Sequence, residues 1–357
     1  MNKTKISIVM PVYNAEKYLE ETLNSICGQS FTDYELIAID DGSTDASLSI
    51  LNKYKDTIVN MKIIANKNSG VSRTRNQGIN IAIGEYICFV DSDDILHKDY
   101  LSKLYKPVEF SEVDIVYCGY KVFYDTIDFE EKDFIEIKND DASDVIDLFN
   151  YVMEQGLGIP LWNKLYKLDL LKNNRIYFNE DLSYGEDMFF NWKVFLLSKN
   201  VYHVDELLYG YRQNIRGVTM KYHPNLYDCY RDEYISLLEF AKKHDISNDK
   251  MLKSVNLNLL KRLNSICRMN IRRKNGIKEA YNYFEYMRND TFLETALKQY
   301  HLSDLTLFNK TDKKLINTLK TKRIFKLLLL SYGLDYKFRL FRHIKSFYNQ
   351  FVIKNRR

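Results

Sequence analysis

Several patterns that would settle a function at once are missing from these 357 residues. The five cysteines, Cys27, Cys88, Cys118, Cys229 and Cys267, are scattered, odd in number and never spaced as C-x-x-C. That argues against a disulfide framework or a cysteine zinc site, and for a reducing, cytoplasmic compartment. Long apolar runs are also lacking. The run near the N-terminus is broken at Pro11, too short for a signal peptide, and Leu327–Leu330 is the longest near the other end. Nothing approaches the roughly 20 residues that span a bilayer. Charge of one sign is not in excess: 52 Lys and Arg face 48 Asp and Glu, a net charge of +4. Bulk electrostatics therefore does not argue for nucleic acid. There is no internal repeat and no low-complexity linker. No G-x-G-x-x-G follows the first strand and no G-x-x-x-x-G-K-[ST] occurs anywhere, so neither common backbone cradle for phosphate is present.

What is present describes a soluble globular chain long enough for two domains, 45% hydrophobic and 28% charged. From about residue 5 to 95 the pattern alternates with a βαβ period. Strands are expected at 6–10, 34–39, 61–65 and from Glu85, with helices over 16–29, 45–54 and 70–83 between them. Such alternation with short connections predicts a doubly wound α/β domain with a mostly parallel sheet. A helix over 97–110, strand-like segments at 113–123, 162–166 and 201–212, and a helix over 185–198 follow. A further helix is expected from Ala142. After about Gly217 strand signals vanish. Segments 225–244, 249–272, 276–288 and 312–331 carry apolar residues at helical spacing, with breaks at Gly276 and Gly333. A 1–217 catalytic domain and a 218–357 helical domain are expected.

Four constellations fall at strand ends or helix starts, each with two readings. Tyr13 and Asn14, after Pro11, suit stacking on and bonding to a base, or a capped turn. Asp40 and Asp41 suit a ribose or base contact, or a turn closed by Asp45. Arg73 and Arg75 lie in the first turns of a helix, where cations do not complement the dipole, so an anion or a pocket carboxylate is expected nearby. The alternative is a basic face paired with nearby acids. Asp91, Asp93 and Asp94 follow the apolar run Tyr86–Val90. Clustered carboxylates repel unless a cation or hydrogen-bond donors hold them, and all-oxygen sets suit hard divalent metals. Otherwise one of them caps a helix and the rest are solvated. A fifth pair, Glu186 and Asp187, opens an apolar helix as caps or as a general base.

Taken in order, VMPVYNAEKYLEETLNSICGQSF, ELIAIDDGSTD, NSGVSRTRNQGI, GEYICFVDSDD, WNKLYK and GEDMFF resemble glycosyltransferase family 2, the inverting enzymes of the GT-A nucleotide-diphospho-sugar transferase fold, over about residues 4–215. The resemblance implies that Pro11, Tyr13 and Asn14 line the nucleotide pocket and that Asp41, with Asp40 behind it, reads uracil and ribose. Arg73 would hold the pocket near base and diphosphate. Asp91-Ser92-Asp93 would be the D-x-D, with Asp93 the chief ligand of Mn²⁺ or Mg²⁺, Asp91 a nearer partner to ribose or metal-bound water, and Ser92 beside the nucleotide. Asp187, with Glu186, would be the catalytic base, and Trp162 and Asn163 would face donor sugar or acceptor. The donor implied is a UDP-hexose or UDP-N-acetylhexosamine, and the acceptor a hydroxyl of a glycan or lipid-linked saccharide in surface-polysaccharide synthesis. The Q-x-x-R-W motif and spanning helices of the processive members are absent, which implies one sugar per encounter. A sugar-nucleotide pyrophosphorylase would need a glycine-rich basic loop after the first strand, which PVYNAEK is not. A non-catalytic sugar-nucleotide-binding scaffold is the alternative.

Residues 320–357 hold eleven Lys or Arg against one acid, Asp335, interleaved with bulky apolar residues. This suits peripheral contact with an anionic membrane surface, or a helix packed on its own domain with a basic face. No nucleic-acid motif accompanies the charge, and the oligomeric state is open.

Overall fold

The first half of the chain builds a parallel sheet because its strands are apolar on both faces. In the computed structural model β1 (Ile6–Val12) and β2 (Tyr34–Asp40) are buried except at Pro11, and β4 (Tyr86–Phe89) is buried throughout. The edge strand β3 (Met61–Ala65) is buried only at Met61. The structure describes residues 4–58, 60–129, 147, 149–150, 160–182, 184–213, 223, 225–271, 276–301, 308–321 and 323–337. Helices α1 (Leu19–Cys27), α2 (Ser47–Tyr54) and α3 (Val71–Ile81) alternate with these strands. Then come β5 (Ile95–Leu96), α4 (Tyr100–Tyr105), a 3₁₀ turn over Lys106–Glu109, β6 (Ile115–Phe123), β7 (Lys164–Lys167), α5 (Leu168–Asn173), α6 (Glu186–Leu197) and β8 (Val201–Arg212).

The eight strands form one sheet in the order β3-β2-β1-β4-β7-β6-β8-β5. Pairing is parallel from β3 to β4 and again between β6 and β8; β7 runs antiparallel to both its neighbours, and β5 to β8. The sheet is thus doubly wound in its first half and mixed beyond. β1 continues past the expected stop at Pro11, with Pro11 and Val12 opposite Ile39 and Asp40. Pairing with β4 has already ended at Val9, so the missing proline N–H falls where β1 has one neighbour. α3 packs close on β1: a Cβ at Gly78 would meet the Val9 side chain at 2.4 Å.

The chain divides into two compact units, Met1–Val218 and Thr219–Arg357. The second contains α7 (Leu226–Lys243), α8 (Asp249–Asn270), α9 (Ile277–Asn289), α10 (Thr291–Gln299) and α11 (Lys310–Lys320), followed by α12 over residues 324–337. The segment expected to be one helix over 312–331 falls in two, α11 ending at Lys320 and α12 starting at 324. Gly333, expected to break a helix, lies inside α12. The helix expected from Ala142 starts outside the described residues.

Candidate active site at the carboxyl ends of the strands

Asp91 to Asp94 leave β4 at the edge where β1 and β2 also end, and three neighbouring elements hold this acidic turn. From α1, the Thr22 hydroxyl donates to the carbonyls of Ser92 and Asp94 at 3.1 and 2.8 Å. From β8, the Arg212 N–H donates to Asp94 Oδ1 (2.7 Å), the Tyr209 hydroxyl to Asp94 Oδ2 (2.8 Å), and Arg212 Nε to the Asp93 carbonyl (2.7 Å). Arg212 is itself buried, reaches Glu21 on α1 at 2.5 Å and lies over the rings of Tyr18 and Phe123. Asp94 is therefore not a helix cap: β5 follows it, and the carboxylate is fully buried as a strut between the turn and β8.

The opposite wall is α3 with the start of α6. Arg75, 4% exposed, donates to Asp91 Oδ1 at 3.1 Å, to Asp187 Oδ1 at 2.6 Å and to Glu186 Oε1 at 3.3 Å, with its guanidinium 5.4 Å from the Phe178 ring. One cation thus gathers acids from the β4 turn and from the first turn of α6. Glu186 and Asp187 reach it because Gly185 takes φ +88° at the helix start, a conformation costly for other residues. Three carboxylates on one guanidinium leave excess negative charge. Burial raises the Asp187 carboxyl to about 8, helped by Glu186 and Asp91 and opposed by Arg75 and Lys164. Asp93, crowded by burial and by Asp91, rises to about 6.

Behind α6 lies a buried polar network. The Lys164 ammonium, wholly buried, donates to Asn163 Oδ1 (2.9 Å) and to the Pro160 carbonyl. That carbonyl also accepts from Asn191, one helical turn after Asp187, and Asn191 accepts from the Tyr166 hydroxyl at 2.6 Å. Burial pulls Lys164 down to about 7 against Cys118 and Asp187, which raise it.

The remaining candidates divide. Asn14, at φ +49°, accepts from the Thr44 N–H at 2.8 Å and so joins the loops after β1 and β2, beside Tyr13, which is 53% exposed. Asp41 is closed off: its oxygens accept from the N–H groups of Ser69 (2.7 Å) and Gly70 (2.9 Å), fixing the start of α3. Asp40 accepts from the Ser43 N–H with Oδ2, while its buried Oδ1 has no partner. Both carboxylates are thus buried, Asp41 engaged with the start of α3 and Asp40 left with one oxygen unpaired inside the protein. Arg73 points elsewhere, exposed and paired with Glu180 at 2.8 Å, lining an open polar cavity of about 480 Å³ with Asn66, Lys67, Asn76 and Gln77. Trp162 is buried and stacks on Tyr209 (4.4 Å) and Tyr211 (5.1 Å); Asn163, also buried, donates to the Cys118 carbonyl at 2.7 Å. Trp162 is thus part of an aromatic stack with β8, and Asn163 ties β7 to β6.

The chain is similar to known proteins. The model for Glycosyl transferase family 2 fits residues 7–160. The uncharacterized glycosyltransferase EpsJ of Bacillus subtilis is 30% identical over 68% of this chain and 71% of its own length. The chain belongs to glycosyltransferase family 2. Glycosyltransferase GlyA of Streptococcus pneumoniae is 35% identical over 58% of this chain, which spans 30% of that longer relative. The solved structure of S. aureus TarS 1-349 in complex with UDP-GlcNAc superposes with a TM-score of 0.68 at 22% identity, over 94% of this chain and 92% of that one. The fold of this family 2 chain is GT-A followed by a helical region.

Sequence motifs led to Asp91, Asp93 and Glu186-Asp187 and to an anion or pocket carboxylate beside Arg73 or Arg75, without choosing between the two arginines; they missed Arg212 and Tyr209 as the clamp and Lys164 as a buried cation. Arg212 lies 119 residues from Asp93, and no local pattern links them. The basic character of WNKLYK was visible, but the depth of Lys164 was not. Among the described residues no group of three or more His, Cys, Asp or Glu is placed to hold a metal alone. Asp91 and Asp93 nonetheless fit a shared ion. Burial, and then the charge of Asp91, raise Asp93, and Mg²⁺-type sites commonly use one or two carboxylates with substrate phosphates completing the shell.

Proposed function

We propose that the chain is an inverting glycosyltransferase that moves a hexose or N-acetylhexosamine from a UDP-sugar to a hydroxyl of a glycan or lipid-linked acceptor. The observation that carries this is the bridge of Arg75 from Asp91 to Asp187, because it sets a donor-side acid and an acceptor-side acid in one site. Relatives support the donor class: TarS of S. aureus is named a poly(ribitol-phosphate) beta-N-acetylglucosaminyltransferase, and one of its structures holds UDP-GlcNAc. The catalytic part is residues 1–217.

The uracil would stack on exposed Tyr13, while Pro11, Asn14, Asp40 and Asp41 shape the loops around it. Asp91 and Asp93, beside Ser92, would hold Mn²⁺ or Mg²⁺ against the diphosphate. Such an ion, when bound, neutralises the charge that develops on the leaving phosphate. Asp187 takes the proton of the acceptor hydroxyl as the oxygen attacks the anomeric carbon. The carbon–oxygen bond to UDP breaks on the opposite side and the configuration inverts. Arg75 holds Asp187 in place and binds Glu186 through the same guanidinium nitrogen. A carboxyl raised towards neutrality is a stronger base than an ordinary aspartate and is still deprotonated in part at working pH.

UDP release with a panel of UDP-sugars, with Mn²⁺ and with EDTA, tests the reading. Release from a UDP-hexose or UDP-N-acetylhexosamine is expected, dependent on the ion and lost by at least a hundredfold in Asp187→Asn. Release that survives EDTA would remove the metal role. Near wild-type turnover in Asp187→Asn would remove the base.

A further inference from the structure

The second unit ends its described part on a helix whose exposed side is apolar. α12 buries Ile324, Leu327, Leu328, Ser331 and Asp335, none more than 7% exposed. Phe325, Leu329, Tyr332 and Tyr336 are instead 68%, 61%, 40% and 69% exposed. Their spacing of four, three and four residues puts them in one line along the helix. Single exposed apolar side chains need no explanation, whereas four aligned ones on one helix mark a contact surface.

The charge on this helix names the partner. Its exposed charged residues are Lys326 and Lys337, with Arg323 just ahead of it, while Asp335, the one acid between 320 and 357, is turned into the protein. The sequence continues with Arg339, Arg342, Lys345, Lys354, Arg356 and Arg357, which lie outside the described residues. A self-complementary protein contact would be expected to carry acids to meet these cations, and this face offers none. Two aromatic phenols and two apolar side chains beside lysines suit the boundary between headgroups and acyl chains, where tyrosine rings and snorkelling lysines both find partners. No helix among the described residues is long and apolar enough to cross a membrane, so the contact is one of lying on the surface.

We propose that the Phe325–Leu329–Tyr332–Tyr336 face of α12 docks on an anionic lipid surface, with Arg323, Lys326 and Lys337 meeting the headgroups. This is independent of the residues assigned to sugar transfer. The test is flotation of the full-length protein with phosphatidylcholine vesicles, with and without phosphatidylglycerol. Wild type is expected to float with the phosphatidylglycerol-containing vesicles and not with phosphatidylcholine alone. Phe325→Glu with Leu329→Glu should weaken that binding at least tenfold, and Lys326→Glu with Lys337→Glu several-fold in a salt-dependent way. UDP release to a soluble acceptor should be unchanged in both variants, which shows that they fold. Wild type that stays unbound overturns the proposal, as does equal binding by the Phe325/Leu329 variant, which would leave the basic end alone as the anchor. A mass that rises with concentration and reverts in that variant also overturns it, since the face would then join copies of the chain.

Discussion

At the scale of single residues, the site is held together by charge that does not cancel. Asp187 has its carboxyl raised from the ordinary aspartate value to about 8. Its ionised form is therefore less stable in the fold than in the unfolded chain. The penalty is absent below the unfolded value, grows as pH rises through the range between the two, and is complete above about 8. Asp187→Asn should abolish transfer yet stabilise the protein by roughly 1–3 kcal/mol at pH 8, with no gain near pH 4; thermal melts at the two pH values check this. In the wild type, kcat/KM should fall with acidification on a limb well above the usual carboxylate range. Lys164 lowers that limb, so Lys164→Met should move it upward, whereas a variant that only loosened packing would scale the profile without shifting it. Stability has a second pH signature here. Lys164 is brought down to about 7 from 10.5, so its burial costs most below pH 7 and the cost fades as pH climbs towards 10.5.

At the scale of elements, Arg75 fastens α3 to both the β4 turn and α6. Replacing it by leucine would leave three carboxylates facing one another, and breaking a buried ionic group in this way costs about 3–5 kcal/mol. Chemical denaturation at neutral pH should show that loss, and it should shrink at low pH where the acids are protonated. The contact of α3 with β1 is governed by shape instead. Gly78→Ala would drive a methyl into Val9, at a cost of about 1–3 kcal/mol from overpacking, read as a lower denaturation midpoint with the slope unchanged. Elements also explain where pattern reading succeeded. The βαβ series was legible from apolar runs such as Tyr86–Val90, because a strand covered on both faces must be apolar throughout. β5, two residues long, and the clamp from Tyr209 and Arg212 carry no such signal, since each depends on β8 arriving from more than a hundred residues away.

For the whole molecule, donor and ion should bind as one. Among the described residues no group of three or more His, Cys, Asp or Glu is placed to hold a metal, so an ion on Asp91 and Asp93 would complete its shell with diphosphate oxygens and water. Mn²⁺ alone should shift the melting temperature little, UDP alone modestly, and the two together by more than their sum. A ligand at a hundred times its dissociation constant adds about 2.7 kcal/mol, and calorimetry of UDP binding with and without Mn²⁺ reads the coupling directly.

The sequence by itself determined the class of fold, and it singled out the edge of the sheet and the acids Asp91, Asp93, Glu186 and Asp187 on which the proposed chemistry rests. Those follow from local rules: apolar runs, strand ends and the order of motifs along the chain. Tertiary structure alone decided which neighbours those acids have. It chose Arg75 rather than Arg73 as the bridge, because two successive odd positions on a helix point to different sides. It turned Asp94 from a cap into a strut, closed Asp41 on the start of α3 and left Asp40 with a buried, unpaired oxygen. It also buried a lysine behind the proposed base. The physical reason is the same in each case: a side chain's charge and hydrogen-bonding capacity are fixed by its type, but what they meet is fixed by residues far away in the chain.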